Sequence, residues 1–356
     1  MKITFCLPSI LKVPAGGFKI VFEYANRLAQ RGHSVTIVFL SDTHFVRVKP
    51  LFLKKILSHF KLIGYPNWFK LSKKIKIIAT PYLDGRDFPK SDIVFATSAR
   101  TAPIIASLNK EKGIGCYFVQ GFENWSMSDE EVVSTYQLGL RVITIAQWLE
   151  KLIKEKAGVD AFTISNPIDL DKFFVQKKIE ERSPYEIAML YHEGKHKGVD
   201  IAFKALDLVR EKYPQIHLNL FGVYEFNKNL SWVSYTHQAN DKDLLKIYNR
   251  SSIFLCASSI EGFGLTGAES MACGCTLVST DYQGVFEYAI DQKNALLSPV
   301  NDPKKLSDNI IKLIEDSYLR TKLAFRASED IKSLSWDHAI DKLETFLIET
   351  KSGNFM

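Results

Sequence analysis

The chain has 356 residues, 46% of them hydrophobic. This length exceeds what a single hydrophobic core usually serves, and we therefore predict two domains. Five cysteines, an odd number scattered through apolar segments, exclude the disulfide framework of a secreted domain and favour a cytosolic protein. The net charge of +6 is unevenly divided, with +10 on residues 1–160 and −4 on residues 161–356. No targeting segment or run of eighteen apolar residues is visible, so an integral membrane protein is not expected.

The amino-terminal half opens with a predicted βαβ unit. Its parts are a strand over 2–7, a glycine loop at Gly16-Gly17, a helix over 18–30 and a strand over 35–40. The loop lacks the third glycine of a dinucleotide fingerprint, and only Asp42 offers an acidic group after the second strand, so NAD binding is not expected. The two glycines are also compatible with a plain turn.

A basic segment, residues 43–83, contains nine Lys or Arg residues and no acidic one. Six aromatic residues are interleaved with these cations, a mixture that suits an anionic lipid surface, where each cation contributes about 1 kcal/mol. We therefore predict a peripheral protein on the inner face of the cell membrane; the alternative is a solvated basic face whose aromatics belong to the core. Nucleic acid is not expected, because no recognised binding motif accompanies the charge. The residues assigned to membrane contact are Lys54, Lys55, Trp68, Lys73 and Lys74.

Further strands are predicted over 92–96, 116–120 and 142–145. The middle one ends at Gln120 and is followed by Glu123, and these polar groups would lie at the carboxyl edge of the sheet. Gln120 is equally compatible with a purely structural role in satisfying a backbone group.

Proline, turn formers and a charged stretch predict a domain boundary after Ser165. The predicted divisions are an amino-terminal domain over 1–165, a linker over 166–183, a second domain over 184–335 and a last helical segment over 336–356. Asp169 and Asp171 imitate a metal-binding pair, but a linker does not hold carboxylates as a metal-diphosphate site requires, so no metal is expected.

The second domain begins with a strand over 185–190, a loop that contains Lys195 and Lys197, and a helix over 201–213. A cation in a strand-to-helix loop can neutralise the charge that develops on a departing diphosphate. The alternative to this phosphate-binding role is that both lysines simply belong to a solvated loop.

Glu261 and Glu269 flank the loop between a predicted strand over 253–257 and a helix that Gly274 ends. The amino end of such a helix binds anions, and carboxylates accept hydrogen bonds from hydroxyl groups, so the loop fits a nucleotide sugar. Thr266 followed by Glu269 also matches a capping box, in which Glu269 would only close its own helix. Gly262 and Gly264 favour a ligand, since no cap requires them.

The string from Glu261 to Glu269 resembles the glutamate-x7-glutamate signature of retaining GT-B glycosyltransferases of family 4. The likeness continues through 271–274, 277–280 and 294–297, and it covers nearly the whole chain, most strongly residues 191–300. It implies an α/β GT-B fold: two Rossmann-like domains that face each other across a cleft, with the last helix returning to the first domain.

The resemblance also implies roles for individual residues. Glu269 would hold the ribose, Glu261 the transferred sugar and Lys197 the diphosphate, while Gly16-Gly17 would face the diphosphate and the acceptor. His192 stands where relatives carry an arginine, a loss for which Lys195 could compensate, and Gln120 and Glu123 stand where many relatives place a histidine. The amides expected to meet sugar or phosphate are those of Phe263, Gly264, Leu265 and Thr266. No cofactor and no metal is implied.

By this resemblance the protein would move a sugar from a nucleotide diphosphate sugar to a growing cell-surface glycan, lipid-linked acceptors included, with retention of anomeric configuration. The segment from Gln120 to Glu123 is similar to bacterial rhamnosyltransferase-type members. The alternative is a catalytically silent relative that binds nucleotide sugar or scaffolds a polysaccharide-assembly complex. Both glutamates and Lys197 argue against that alternative, because scaffolding alone does not need them.

Overall fold

A computed structural model of the chain describes residues 1–45, 47–125 and 127–353. The chain divides into two compact units. The first comprises Met1–Ser165 and the segment from Ala339 onward, and the second comprises Asn166–His338.

The first unit is built on a seven-stranded parallel sheet in the order β3-β2-β1-β4-β5-β6-β7. Its strands are β1 (Lys2–Leu7), β2 (Ser34–Leu40), β3 (Lys76–Thr80), β4 (Ile93–Ala96), β5 (Ile114–Val119), β6 (Arg141–Thr144) and β7 (Ala161–Thr163). Its helices are α1 (Gly16–Gln30), α2 (Leu51–Lys61), α3 (Ala102–Ala106), α4 (Asp129–Tyr136) and α5 (Gln147–Ala157). All but the first residue of β1 and of β2 are buried, which explains why these strands are almost continuously apolar in sequence.

The second unit contains a six-stranded parallel sheet in the order β10-β9-β8-β11-β12-β13. Its strands are β8 (Glu186–Tyr191), β9 (His217–Gly222), β10 (Val233–His237), β11 (Ile253–Cys256), β12 (Thr276–Thr280) and β13 (Ala295–Ser298). Its helices are α6 (Val199–Lys212), α7 (Asp241–Arg250), α8 (Leu265–Ala272), α9 (Pro303–Glu315) and α10 (Ser317–Asp330). Apolar side chains of β8, β9 and β11 pack with those of α6 and α9 in one core.

Both units therefore have the Rossmann-like α/β architecture that the sequence predicts. In each sheet the strand order reverses once, between β1 and β4 in the first unit and between β8 and β11 in the second. Ligands of open α/β sheets bind at the carboxyl ends of the strands at such a reversal. The loops that follow β8 and β11 are therefore the place to look for a site.

The predicted linker, residues 166–183, is packed into the second unit. Phe173 and Ile179 are buried, and the buried Arg182 guanidinium donates to the carbonyl oxygens of Tyr248, Ser251 and Cys273. These hydrogen bonds satisfy a charged group that would otherwise be costly to bury. Residues 166–183, predicted as a linker, are therefore a folded segment of the second unit.

The last helix, α11 (Trp336–Ser352), packs within the first unit from Ala339 onward. Its Phe346 ring lies 5.5 Å from the ring of Phe162, and its Glu344 carboxylate bonds Arg31 at 2.6 Å and His33 at 2.9 Å. His33, just beyond the end of α1, therefore helps to hold α11 against the first unit.

All five cysteines are buried and free. Among the described residues, no helix combines the length and the apolarity that crossing a bilayer requires.

Candidate active site

Lys197 is positioned by a backbone contact between two loops of the second unit. It ends a short 3-10 turn after β8, and the next residue, Gly198, adopts a left-handed conformation with φ of 59°. An ideal Cβ at Gly198 would lie 1.9 Å from the carbonyl oxygen of Ala257, just beyond β11. Only glycine therefore lets the loop after β8 rest on the end of β11. This contact places Lys197 at the reversal of strand order.

Lys197 and Glu261 form an ion pair at the carboxyl end of β11. The Lys197 Nζ lies 3.1 Å from the Glu261 Oε2, and the two side chains are 19% and 13% exposed. The Ser258 hydroxyl donates to the other oxygen, Glu261 Oε1, at 2.6 Å. Both residues line one pocket, together with Thr266 at the start of α8. The pocket therefore combines a cation, a carboxylate and the amino end of a helix.

The loop that leads into α8 is held in place by two buried tyrosines. Gly264 precedes the helix with φ of 90°, and an ideal Cβ there would lie 2.0 Å from the Tyr282 hydroxyl. The Tyr288 hydroxyl donates to the Gly264 carbonyl oxygen at 2.9 Å and lies 2.6 Å from the Tyr282 hydroxyl. The first-turn amides, which include those of Leu265 and Thr266, have no intrahelical acceptor and carry the positive end of the helix dipole. The start of α8 is therefore fixed in place, with free amide groups of the kind that suit an anion.

Glu269 does not cap its own helix. The N-cap of α8 is Gly264, which makes no side-chain capping bond, and the Glu269 side chain is buried. The Tyr248 hydroxyl of α7 donates to Glu269 Oε2 at 3.3 Å. Burial beside this carboxylate raises the pKa of Tyr248 well above its usual value, so the phenol remains a donor. The capping-box interpretation of Thr266 and Glu269 is therefore wrong, and Glu269 is a buried acceptor held from a neighbouring helix.

His192 and Lys195 belong to the loop after β8. The Gly194 amide donates to His192 Nδ1 at 2.9 Å, and the His192 ring meets the Tyr224 ring edge-on at 4.8 Å. Lys195 is exposed. Neither His192 nor Lys195 is among the described residues that line the pocket around Lys197 and Glu261.

The first unit gathers a second set of predicted residues at the carboxyl edge of its sheet. An ideal Cβ at Gly17 would lie 3.3 Å from the Gln120 side-chain amide, so the glycine loop and the end of β5 are neighbours. Glu123 Oε2 accepts the Ala99 amide at 3.0 Å, and burial raises the pKa of Glu123 to about 7. Gly16 begins α1.

Asp42 is paired with Arg100. The Arg100 guanidinium donates to both of its carboxylate oxygens, at 2.6 and 2.5 Å, and also to the Pro8 carbonyl oxygen.

The residues assigned to membrane contact lie in different environments. Lys73 and Lys74 are exposed, whereas Lys54 Nζ donates to the Asp42 carbonyl oxygen and Lys55 pairs with Asp87 at 2.5 Å. Trp68 packs its ring 5.5 Å from that of Phe22 and donates its indole N–H to the Leu11 carbonyl oxygen. Its ring therefore contributes to the packing of the first unit.

Sequence reasoning missed the residues that support the two glutamates. The role of Ser258 could have been predicted, because this residue comes between the predicted strand and Glu261, only three positions before the carboxylate it bonds. Tyr248 carries no such signal, since its partner Glu269 is 21 residues away in the chain, and Tyr288, which holds Gly264, bonds across 24 residues. Among the described residues, no group of three or more His, Cys, Asp or Glu could hold a metal ion.

Residues 171–330 match the family model described as "Glycosyl transferases group 1". An uncharacterized glycosyltransferase of Methanocaldococcus jannaschii is 27% identical over 216 residues, which cover 56% of this chain and 57% of the relative. The N,N'-diacetylbacillosaminyl-diphospho-undecaprenol alpha-1,3-N-acetylgalactosaminyltransferase of Campylobacter jejuni is 23% identical, over 88% of this chain and 90% of the relative. The crystal structure of Anabaena HepE in complex with UDP-glucose superposes with a TM-score of 0.74 at 15% identity, covering 99% of this chain and 100% of HepE.

The chain has the GT-B fold, and its second unit carries a glycosyltransferase domain. The family match lies in the second unit, which contains Lys197, Glu261 and Glu269. The likeness to HepE, at low identity, shows the fold that this glycosyltransferase shares with it. Both the α/β GT-B prediction and the prediction of a hexosyltransferase-type enzyme, EC 2.4, are confirmed.

Proposed function

We propose that this glycosyltransferase is a retaining enzyme of the family 4 type that uses a nucleotide diphosphate sugar. The observation that carries the proposal is the Lys197–Glu261 pair, 3.1 Å apart, beside the first turn of α8. A cation and helix amides suit a diphosphate, while a carboxylate suits sugar hydroxyls. One pocket thus offers complementary groups to both halves of the donor.

In the proposed reaction, the bond between the anomeric carbon and the diphosphate oxygen breaks while the acceptor oxygen bonds that carbon from the same face. The acceptor proton passes to the departing diphosphate, which takes the bonding electrons. Lys197 and the first-turn amides of α8 stabilise the negative charge that develops there, and Glu261 holds the transferred sugar. Preorganised donors of this kind give large rate effects in sites shielded from water. We propose that this charge is balanced by the chain's own groups, without a metal ion.

Glu269 is proposed to accept hydrogen bonds from the ribose. Its buried carboxylate is already held by Tyr248, which limits the positions that the oxygens can occupy. A preorganised acceptor loses less conformational entropy when the donor binds. Gly16 and Gly17 are proposed to face the donor diphosphate, and Gln120 and Glu123 are proposed to serve the acceptor.

The acceptor is proposed to be a growing cell-surface glycan, and specifically a lipid-linked one. The Campylobacter relative is named for an undecaprenol-diphosphate-linked acceptor, which supports this class without fixing the sugar. The similarity of residues 120–123 to rhamnosyltransferase-type enzymes makes dTDP-rhamnose one donor to test.

A donor panel tests the function directly. We expect one among UDP-glucose, UDP-N-acetylgalactosamine, GDP-mannose and dTDP-rhamnose to stabilise the protein by about 2.7 kcal/mol at a hundredfold excess over its dissociation constant. Release of nucleoside diphosphate should follow when a lipid-linked glycan is added, and NMR of the product should show the anomeric configuration of the donor. Inverted product would exclude the retaining mechanism, and donor binding without transfer or hydrolysis would support the silent scaffold instead.

Helix α2 gives the membrane proposal a structural basis. Along this helix and just beyond it, Phe52, Ile56, Phe60 and Ile63 recur at helical spacing, and they are 60%, 49%, 61% and 73% exposed. Ser58 is the buried residue of the helix, and its hydroxyl donates to that of Ser41 at 2.8 Å. A helix that exposes a row of large apolar side chains amid lysines fits the interface of an anionic bilayer. We propose that α2 lies in the membrane surface with its apolar row toward the lipid.

A vesicle-binding experiment tests this orientation. The triple variant Phe52→Ser/Ile56→Ser/Phe60→Ser should lose at least about tenfold in affinity for phosphatidylglycerol vesicles, because burying a large apolar side chain contributes about 1.5–3 kcal/mol. Lys73→Glu/Lys74→Glu should also weaken binding, since each nearby lysine contributes about 1 kcal/mol. Tyr318→Ser/Phe325→Ser, which removes exposed rings of the second unit, is the matched control and should bind normally. Equal binding by all three variants would refute the orientation.

A further inference from the structure

Three basic side chains meet at the carboxyl edge of the first unit's sheet, beside the end of α2. They are Lys12 in the loop after β1, His44 in the loop after β2, and Lys61, the last residue of α2. The Lys61 Nζ lies 3.2 Å from His44 Nδ1. The loop that carries Lys12 is held nearby, because the Leu11 amide donates to the Tyr65 hydroxyl just beyond α2, at 3.2 Å. We call Lys12, His44 and Lys61 the cation cluster.

The cation cluster has no anion of its own. In the part of the chain that the structure describes, no carboxylate pairs with Lys12 or Lys61, and burial followed by the charge of Lys12 lowers the pKa of Lys61. Asp42 attracts the His44 ring, but both of its oxygens already accept hydrogen bonds from the Arg100 guanidinium. Burial and then repulsion from Lys61 lower the pKa of His44, against the opposing effect of Asp42. A bound anion would relieve the repulsion between the two lysines.

Both nitrogens of the His44 ring face donors. The Ile10 amide donates to Nε2 at 3.3 Å, while Nδ1 faces the Lys61 ammonium. A neutral imidazole has one acceptor nitrogen, so with Nε2 taken by the amide the proton lies on Nδ1 and faces another donor. Two donors with no acceptor between them leave hydrogen-bonding capacity unused. An anionic oxygen placed beside Nδ1 and the ammonium would accept from both.

The position of the cation cluster identifies the kind of anion. Lys61 ends the helix whose apolar row we assign to the membrane, and the neighbouring Phe60 and Ile63 are 61% and 73% exposed. An interfacial helix of this kind lies at the boundary between acyl chains and headgroups. An anion bound by the cluster would therefore lie at the level where a bilayer carries its phosphate groups.

We propose that the cation cluster binds a phosphate group carried by a lipid, with Lys12 and Lys61 supplying charge and His44 Nδ1 donating a hydrogen bond. A phosphate has several acceptor oxygens and can accept from all three side chains. A phospholipid headgroup and the diphosphate of a lipid-linked acceptor both offer this chemistry. The inference rests on the proposed membrane orientation of α2, and it involves neither Lys197 nor Glu261.

Vesicles that differ only in their anion test the cation cluster. Phosphatidic acid or oleate is mixed into phosphatidylcholine vesicles of equal zeta potential, and binding is measured by co-sedimentation. We expect the unmodified protein to bind the phosphatidic acid vesicles about tenfold more tightly, because hydrogen bonds to a phosphate add to general charge attraction. Lys12→Gln/Lys61→Gln should lose this preference. Lys73→Gln/Lys74→Gln, which changes exposed lysines of the same unit, is the matched control and should weaken binding to both kinds of vesicle while keeping the preference.

A second variant isolates the hydrogen bond from the charge. His44→Phe keeps a flat ring and removes the Nδ1 donor, so the preference for phosphatidic acid should fall severalfold while both lysines remain. Binding to the oleate vesicles should stay within about twofold of that of the unmodified protein.

The KM for the lipid-linked glycan distinguishes the two sources of phosphate. In detergent micelles without phospholipid, a rise of about tenfold for Lys12→Gln/Lys61→Gln, with kcat unchanged, would assign the cation cluster to the acceptor diphosphate. An unchanged KM together with the lost vesicle preference would assign it to a phospholipid headgroup. The proposal is overturned if the double variant retains both the phosphate preference and the KM of the unmodified protein. The orientation of α2 fails separately, if Phe52→Ser/Ile56→Ser/Phe60→Ser binds both kinds of vesicle as tightly as the unmodified protein.

Discussion

Replacing Lys197 with methionine should reduce the turnover number by about 10²–10³-fold, the usual effect of removing one preorganised group that stabilises developing negative charge. Methionine keeps much of the side-chain length but cannot neutralise the departing diphosphate. The change also leaves Glu261, which is 13% exposed, without its cation, although Ser258 still donates to it. Steady-state kinetics with the natural donor would measure the effect, with retention of the thermal unfolding temperature as evidence that the fold survives.

Two further variants sharpen the interpretation of Lys197→Met. Lys204→Met removes an exposed lysine of the following helix, α6, and should leave turnover unchanged. Lys197→Arg preserves charge but alters geometry, so activity between the two extremes is expected. If the turnover number of Lys197→Met stayed within about threefold of that of the unmodified enzyme, the assigned role would be contradicted. Removing a single charge-stabilising group usually lowers the turnover number by far more than threefold.

The sequence was sufficient for the alternation of strands and helices in the second unit. Its predicted strands over 185–190 and 253–257 differ by no more than one residue at either end from β8 and β11. The periodic apolar pattern is strong there because the strands are buried in a parallel sheet. In the basic segment no such pattern identified α2 or β3, since α2 exposes most of its apolar side chains and buries only Ser58.

The candidate site was predictable where chemistry follows a local motif. Lys197 and Glu261 were selected from two separate loops, and the fold brings them to 3.1 Å at the reversal of strand order. The environment of Glu269 was not predictable, because its partner Tyr248 comes from another helix and the capping-box pattern pointed to a local role. Trp68 shows the same limit: composition suggested a surface role, but its packing against Phe22 depends on tertiary structure.

Replacing Gly198 with alanine should be among the most damaging single substitutions in the second unit. The residue has φ of 59°, and the added Cβ would lie 1.9 Å from the carbonyl oxygen of Ala257. The left-handed conformation alone costs an alanine about 1–2 kcal/mol. The contact with a backbone atom cannot be relieved by a rotamer change, so the loop must move, and we expect a total loss of about 4 kcal/mol in the free energy of unfolding. Because Lys197 is the preceding residue, transfer should fall even in the molecules that remain folded.

Gly158→Ala separates backbone strain from the steric contact. Gly158 ends α5 with φ of 70°, close to that of Gly198, but an ideal Cβ there would meet no heavy atom within 4 Å. This control should therefore lose only the conformational cost of about 1–2 kcal/mol and keep full transferase activity. Urea unfolding monitored by circular dichroism gives the stability difference, and single-turnover kinetics on folded protein gives the activity. Equal losses for the two alanine variants would mean that the loop after β8 does not depend on its contact with Ala257, and the structural basis for placing Lys197 would fail with it.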